Sequence, residues 1–297
     1  MYTDEKGFTW YKGSLHTHTT RSDGSLTPDE VIDIYADKDF DFLVFADHLY
    51  QSQDNESERL LTVSGIEIHT STDVREGHFH IVGVGMDKEI DVPNCRESVQ
   101  DAIDEINRCG GAAILAHPAW SLNSPAMILN LENICAMEVY TTLSAKPYGV
   151  RPDSSMISDL VSTQGRLIPL VAVDDAHVYE GEQGVSFIWL KADVLDKQHV
   201  LSALRQGDFY ASQGPRFSYE FSPDKKSIKV RCTDAREVVF FSDALGSDRV
   251  FGKEKGDTPP INEVVYHFVS SESFVRFEIT DFEGRKAWSS PISLSDI

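Results

Sequence analysis

The sequence predicts an α/β fold whose parallel strands close toward a barrel, followed by a small all-β unit. Three observations predict it. Short continuous apolar runs such as Phe42–Ala46 and Ala112–Ala116 recur between stretches of helical spacing, the pattern of parallel strands covered on both faces by crossover helices. Several of these runs end in histidine or acid, which puts polar groups at one end of many strands, as on the rim of a closed barrel. An open doubly wound sheet would gather its ligands at one crevice instead. Beyond Gln213-Gly214-Pro215 the pattern becomes alternating apolar and polar, broken by Asp, Gly and Pro turns, which reads as antiparallel strands.

In order along the chain, residues 8–15 read as a first strand, leading into His16-Thr17-His18. Thr27-Pro28-Asp29-Glu30 is a helix start, with Thr27 as cap, proline in the first turn and Glu30 closing a capping box. Val31, Ile34 and Tyr35 carry the helix to about Asp37. Residues 42–46 form a buried strand ending in Asp47-His48, and Gln51–Arg59 is a polar loop. Residues 60–68 read as a third strand, ending near Glu67, and 79–84 as a fourth, with His80 at its start. Asn94 caps a helix with the stripe Val99, Ala102, Ile103, Ile106, which Gly110 and Gly111 end. Strand 112–116 runs into His117-Pro118, where proline stops the ladder. Residues 137–140 give a sixth strand, 154–163 a helix, 167–173 a seventh strand ending in Asp174-Asp175-Ala176-His177, 185–190 a further strand, and 194–206 the last helix.

Strands over 217–221, 227–232, 238–242, 264–269 and 274–279, a turn at 281–285 and a strand within 287–294 make a small sandwich of immunoglobulin-like size. The division is therefore residues 1–212 and 213–297. No aromatic stripe or ligand cluster marks the second part, which suits a structural role, and His267 there reads as structural or surface.

Composition sets the class. The chain has 297 residues, 41% hydrophobic and 25% charged, ordinary for a soluble globular protein. No apolar run approaches the roughly 20 residues needed to span a bilayer, and the N-terminus shows no signal-peptide pattern. The four scattered cysteines fit reduced thiols in a cytoplasm. The net charge is −21, and residues 213–297 carry 12 Lys and Arg against 14 Asp and Glu, so 19 of the 21 excess negative charges fall on residues 1–212. A basic nucleic-acid footprint is absent. Much of the acidity serves solubility; bound divalent cations would offset part of it.

His16 and His18 are two apart on an extended chain, so both rings face one way. Six histidines (His16, His18, His48, His80, His117, His177) lie at or beside strand ends, with Asp23, Asp47, Glu67, Asp174 and Asp175 near them. Six imidazoles on one rim would each need partners for two ring nitrogens. Divalent ions satisfy them, and mixed imidazole and carboxylate ligands suit Zn, Mn or Fe.

His16-Thr17-His18, Ser22-Asp23-Gly24, Ala46-Asp47-His48, Gly65-Ile66-Glu67, His80-Ile81-Val82-Gly83, Ala116-His117-Pro118 and Asp175-Ala176-His177 resemble, in order, the motifs of the PHP (polymerase and histidinol phosphatase) superfamily. Residues 207–215 resemble the end of the catalytic domain in its carbaryl-hydrolase-like (CehA/McbA) branch. The resemblance implies a distorted (β/α)7 TIM-like barrel with three divalent ions. It implies His16, His18, Glu67 and Asp175 on the first ion; Glu67, His80 and His117 on the second; Asp23, His48 and His177 on the third. Glu67, Asp175 and His177 count as catalytic as well. His80 rather than His78, and Asp175 rather than Asp174, fit the family spacing. Asp47 is a carboxylate that orients a ligand. Phe45-Ala46, Leu49 and Val173-Asp174 depart from the family's usual residues around these ligands.

The expected function is a phosphoesterase acting on a small phosphorylated molecule, through a hydroxide shared between two ions. Lys146 and Arg151 are candidate phosphate contacts. The same site could cleave a carboxyl or carbamate ester, for which Trp120 and Tyr140 offer an aromatic pocket. A non-catalytic metal-binding accessory module is the reading of another class. Neither nucleic acid nor membrane is an expected partner, and the sequence is compatible with a homo-oligomer.

Overall fold

The computed structural model describes residues 1–70, 77–244, 249–252 and 259–295. A short β1 (Tyr2–Thr3) pairs with β2 (Thr9–Ser14). Helix α1 (Pro28–Asp37) starts with the predicted capping box, Thr27 and Glu30 bonding reciprocally, and buries Val31, Ile32 and Tyr35. It packs them against Leu43 and Phe45 around β3 (Phe42–Val44). The single apolar run expected over 60–68 breaks at Ser64 into β4 (Leu61–Val63) and β5 (Gly65–His69), which lie in different sheets. Then come β6 (His80–Val84), a one-turn α2 (Val92–Cys95) and α3 (Val99–Arg108). The cap of α3 is Ser98, whose hydroxyl accepts from Asp101 N, and not Asn94. Strand β7 (Ala112–Leu115) leads to short helices α4 (Pro118–Ser121) and α5 (Pro125–Leu129). Strand β8 (Ile134–Thr141) is twice the expected length, and α6 (Thr142–Ala145) and α7 (Ser155–Ser162) precede β9 (Leu170–Val173).

Strand β10 (Phe187–Lys191), helix α8 (Lys197–Gln206) and β11 (Phe209–Ser212) follow. The remaining strands are β12 (Phe217–Phe221), β13 (Ser227–Ala235), β14 (Glu237–Ser242), β15 (Arg249–Gly252), β16 (Ile261–His267), β17 (Phe274–Thr280), β18 (Lys286–Trp288) and β19 (Ile292–Ser293). Among them β12, β13 and β16 form one sheet. Its apolar face (Ile228, Val230, Val264, Tyr266) packs on Val238, Phe240, Val275 and Phe277 of β14 and β17.

The expected closed parallel barrel is not formed by continuous ladders. One sheet runs β15-β14-β17-β18-β11-β10-β2-β3-β4, and a second runs β5-β6-β7-β8-β9. Among the strands of the described residues only β2–β3, β3–β4, β7–β8 and β8–β9 pair in parallel; β6 and β10 are antiparallel to their neighbours. The two sheets meet through two isolated parallel bridges, Thr17 with Ala176 and His48 with Glu67. Between the sheets lies a core of Leu15, Val44, Val82, Ile114, Val171 and Ile188, and α8 adds Val200, Leu201 and Leu204 to it. Thr17, Ala176 and His48 sit just beyond the C-terminal ends of β2, β9 and β3, and Glu67 within β5; the predicted ligands cluster there. No helix among the described residues is long and apolar enough to cross a membrane.

Close approach of β2 and β3 depends on Gly13. A Cβ there would lie 1.9 Å from Cζ of the buried Phe42 ring. Gly13→Ala is expected to cost about 1–3 kcal/mol as an overpacking change, read from urea or thermal unfolding of the metal-free protein.

Candidate metal centre

The nine predicted ligands come from seven strand ends or loops, and the structure gathers them at one place. His16 and His18 lie just past β2 and are fully buried, with their Nε2 atoms 3.0 Å apart. Both face Glu67 Oε2, at 3.3 and 3.2 Å, and Asp175 Oδ1, at 3.1 and 3.2 Å. His48 Nδ1 reaches the same Glu67 oxygen at 3.0 Å. Glu67 Oε1 faces His80 Nδ1 at 2.7 Å and His117 Nε2 at 3.2 Å. His177 stacks on His18 with centroids 3.9 Å apart, and its Nε2 lies 3.4 Å from Asp23 Oδ1.

Local sequence explains this convergence. The loop bearing Asp23 folds back so that Gly24 N–H donates to Thr19 O. A Cβ on Gly24 would sit 2.5 Å from the His18 carbonyl carbon, so only glycine fits. Asp47 is fully buried and accepts from Thr19 N–H, the Thr19 hydroxyl and the Ser22 hydroxyl at 2.7–2.9 Å. It orients the His16–His18 segment through that loop and does not itself bond a ring. The adjacent acids divide by direction. Asp174 turns away and accepts from Tyr35 OH and from the N–H groups of Gly184, Val185 and Ser186. Asp175, at φ +54°, turns into the cluster. His117 is also in the left-handed half of φ space, at +24°, just before a proline, where the preceding residue is sterically restricted. Such conformations cost of order 1–3 kcal/mol and gather at functional sites.

Three overlapping donor groups result, each with ligand atoms within 4.8 Å of one another: His16, His18, Glu67 and Asp175; His18, Asp23, His48 and His177; and His48, Glu67 and His80. The first matches the implied first set. The second contains the implied third set and adds His18. The third places His48, where the resemblance implies His117, beside Glu67 and His80. His117 instead bonds Ser121 Oγ through Nδ1 at 3.0 Å while its Nε2 lies on Glu67. His78 reaches His80 Nε2 with its own Nε2 at 2.9 Å and belongs to none of the three groups.

The residues fit divalent ions on a direct observation. His48 Nδ1, Glu67 Oε2 and Asp175 Oδ1 are buried and lack a hydrogen-bond partner, although all three lie within about an atom's width of other donors. Buried polar atoms are normally paired; lone pairs that converge without bonding one another are what a cation satisfies.

Electrostatics agree. Burial alone would raise Glu67, but the rings of His16 and His80 hold its carboxyl well below the usual range. Asp175 is likewise held low against burial, chiefly by the nearby rings of His16 and His18. Its hydrogen bond to His177 holds Asp23 low. Burial would discharge His177, but Asp23 and Asp175 push it up to about 9. Burial takes His48 down to about 4. Three carboxylates thus stay ionised at neutral pH. Because His177 holds a proton there, a cation held by its ring would have to displace that proton, and such binding would weaken as pH falls.

A cavity of about 190 Å³ opens over this cluster, lined by Asp23, His48, Glu67, His80, His117, Asp175 and His177 and by Trp120, Leu143, Ser144 and Tyr148. Lys146 and Arg151, the predicted phosphate contacts, are exposed and do not line it; their loop contributes Ser144 and Tyr148 instead. Tyr140 is also absent from the lining and stacks on Trp288 at 5.6 Å. Trp120 lines the cavity as expected, with its ring 5.1 Å from that of His117. Sequence reasoning missed Glu138. It is 1% exposed and its Oε1 lies 2.7 Å from His16 Nδ1. The available signal was a lone charge in the apolar run Ala136-Met137-Glu138-Val139.

The chain matches no family model, and no curated protein matches it. Its fold resembles a two-domain protein from Bacteroides vulgatus containing a predicted PHP-like metal-dependent phosphoesterase. The TM-score is 0.55 at 15% identity, over 98% of this chain and 97% of that one. Weaker likenesses, over about two thirds of this chain, are an amidohydrolase from Chromobacterium violaceum with bound sulfate and no metal (TM-score 0.46, 18% identity, 66% of this chain and 96% of that one) and a protein from Bifidobacterium adolescentis described as a metal-dependent phosphoesterase (TM-score 0.45, 14% identity, 65% and 95%). The likeness to the Bacteroides vulgatus protein is one of fold, and it extends along nearly the whole of both chains.

Asp23→Asn removes the carboxylate that raises His177. In the metal-free protein its pKa is expected to fall from about 9 toward the free value of about 6.5, because Asp175 alone then opposes burial. An NMR titration of the His177 ring protons reads this directly.

Proposed function

We propose that this protein is a metal-dependent phosphoesterase that hydrolyses a small phosphorylated molecule at a site holding up to three divalent ions. The observation that carries the reading is the set of three donor groups sharing Glu67, His18 and His48, with buried atoms left unpaired where they meet. The PHP-like fold shared with the Bacteroides vulgatus protein supports it. A full donor set also favours an enzyme over an accessory module, which would be expected to lose ligands. The reading assigns the site to residues 1–212 and gives residues 213–297 a covering role as an immunoglobulin-like sandwich.

Bound divalent ions supply a Lewis acid for the substrate's oxygens and lower the pKa of a water from 15.7 toward about 7. The chain's own residues prepare that chemistry. Glu67, Asp175 and Asp23 are held ionised and present negative oxygens to cations. His16 and His18 are fixed by burial and by the Asp47-braced loop. Trp120, Leu143 and Tyr148 wall the mouth and limit water. With a cavity of about 190 Å³, below the usual range of about 300–1,000 Å³ for small-molecule pockets, only the reacting group is enclosed and the rest of the substrate projects outward.

One observation favours a second reading. Among the described residues no Lys or Arg lines the cavity, whereas Trp120, Leu143 and Tyr148 do. That wall suits the apolar part of a carboxyl or carbamate ester, cleaved by the same ions.

Metal analysis of protein purified without added metal, paired with hydrolysis of an aryl phosphate and an aryl carboxyl ester, tests both readings. Near three ions per chain with phosphate cleavage is the expected result. Ester cleavage alone moves the function to the second reading. A metal-free protein, inactive after Zn, Mn or Fe is restored, overturns both.

A further inference from the structure

Glu138 is a buried carboxylate outside the three donor groups, yet it touches two of the residues that build the site. Its Oε1 lies 2.7 Å from His16 Nδ1. Its Oε2 accepts from the His117 backbone N–H at 2.8 Å and from the Thr141 hydroxyl at 3.3 Å. The strand is shaped to deliver it. Pairing of β8 with β9 shifts register between Glu138 and Tyr140, leaving Val139 as an extra residue. A bulge of this kind re-aims a side chain next to a site.

Each contact has a consequence. A hydrogen bond donated from Nδ1 leaves the other ring nitrogen of His16 as the lone-pair side, and that Nε2 is the atom facing Glu67 and Asp175. The bond from His117 N–H anchors a backbone at φ +24°, a conformation that persists only where its surroundings over-determine it. That backbone in turn carries the ring that meets Glu67 Oε1 at 3.2 Å.

We propose that Glu138 is a positioning residue that ties two parts of the metal site together, one oxygen setting His16 to present Nε2 and the other holding the His117 turn. The inference rests on the metal reading of the site and is independent of which ester is cleaved. A carboxylate suits this task and a carboxamide does not. Glu138 offers two acceptor oxygens to three donors, whereas glutamine offers one oxygen and turns an NH2 group on a donor.

The test is zinc titration of metal-stripped wild type, Glu138→Gln and Glu138→Ala by calorimetry, well below each protein's unfolding temperature. Loss of such an outer partner typically costs about 10–100-fold in metal affinity. That loss is expected in both variants, across more than one bound equivalent, while far-UV circular dichroism stays native. Affinity within threefold of wild type overturns the proposal, as does a lowered melting temperature with unchanged affinity. A second measurement needs no variant and no metal. In ¹H–¹⁵N spectra of the wild-type protein, His16 Nδ1–H and the His117 amide are expected to be deshielded and slow to exchange. A His16 Nδ1 without a proton overturns the proposal. Failure of wild type to bind zinc with both bonded protons present overturns the metal reading and leaves the positioning contacts standing.

Discussion

Glu67 sets the terms for the rest of the molecule. One buried carboxylate faces five imidazoles, three on one oxygen and two on the other. An isolated ionised carboxylate in an apolar interior costs far more than a domain's net stability, so this group can exist only where polar partners surround it. The fold supplies those partners from several directions. Gly65 lets β5 pass against β3, since a Cβ there would lie 2.4 Å from Val44 Cγ1. The bridge from His48 to Glu67 fixes the two chains side by side. His16 and His18 arrive from β2, and His80 and His117 from the antiparallel pair β6 and β7.

What the sequence revealed, and what it hid, follows from how each feature is encoded. The convergence of the histidines was legible because polar side chains at the ends of apolar runs have few other uses. Asp175 was separable from Asp174 only by family spacing, and the structure supplies the physical difference: one faces the cluster and the other four backbone and hydroxyl donors. Strand direction was not legible. Periodicity reports which face is buried and says nothing of whether a neighbour runs parallel, so the antiparallel placements of β6 and β10 were missed. The run 60–68 reads as one strand because the break at Ser64 leaves its apolar pattern intact. Ser98 and Asn94 are both competent caps, and tertiary packing chose between them. Lys146 and Arg151 were chosen for charge near a strand end. Their exposed side chains leave the cavity to Ser144 and Tyr148 of the same loop, a choice of direction that composition does not encode. Glu138 was hidden because a single acid in an apolar strand shows neither its partner nor the bulge that aims it.

Asp175 and His117, both at positive φ, come within 3.9 Å of each other in the cluster, and each is tied through its backbone N–H to another segment. Asp175 N–H donates to His16 O and His117 N–H to Glu138. Rigidity here comes from cross-strand ties and not from a uniform ladder. Two sheets joined by single bridges can meet at the irregular angle that brings donors from many strands to one point, which a regular ladder would spread along a rim.

The long sheet has a consequence for how the chain is made. Every residue of the metal centre lies at or before His177, yet β11 finds one of its two neighbours only in β18, at Ala211 with Trp288 and Ser212 with Ala287. During synthesis the clustered residues emerge before β18, so one edge of their sheet stays open until β18 leaves the ribosome. An unpaired edge is a template for wrong partners, and nascent chains expose such edges at the synthesis rate of about 5–20 residues per second. Over the intervening 73 residues, between Ser212 and Lys286, that edge waits several seconds. Arg276, buried between Asp159 of α7 and Glu278 of its own strand, then ties β17 to a helix made 117 residues earlier.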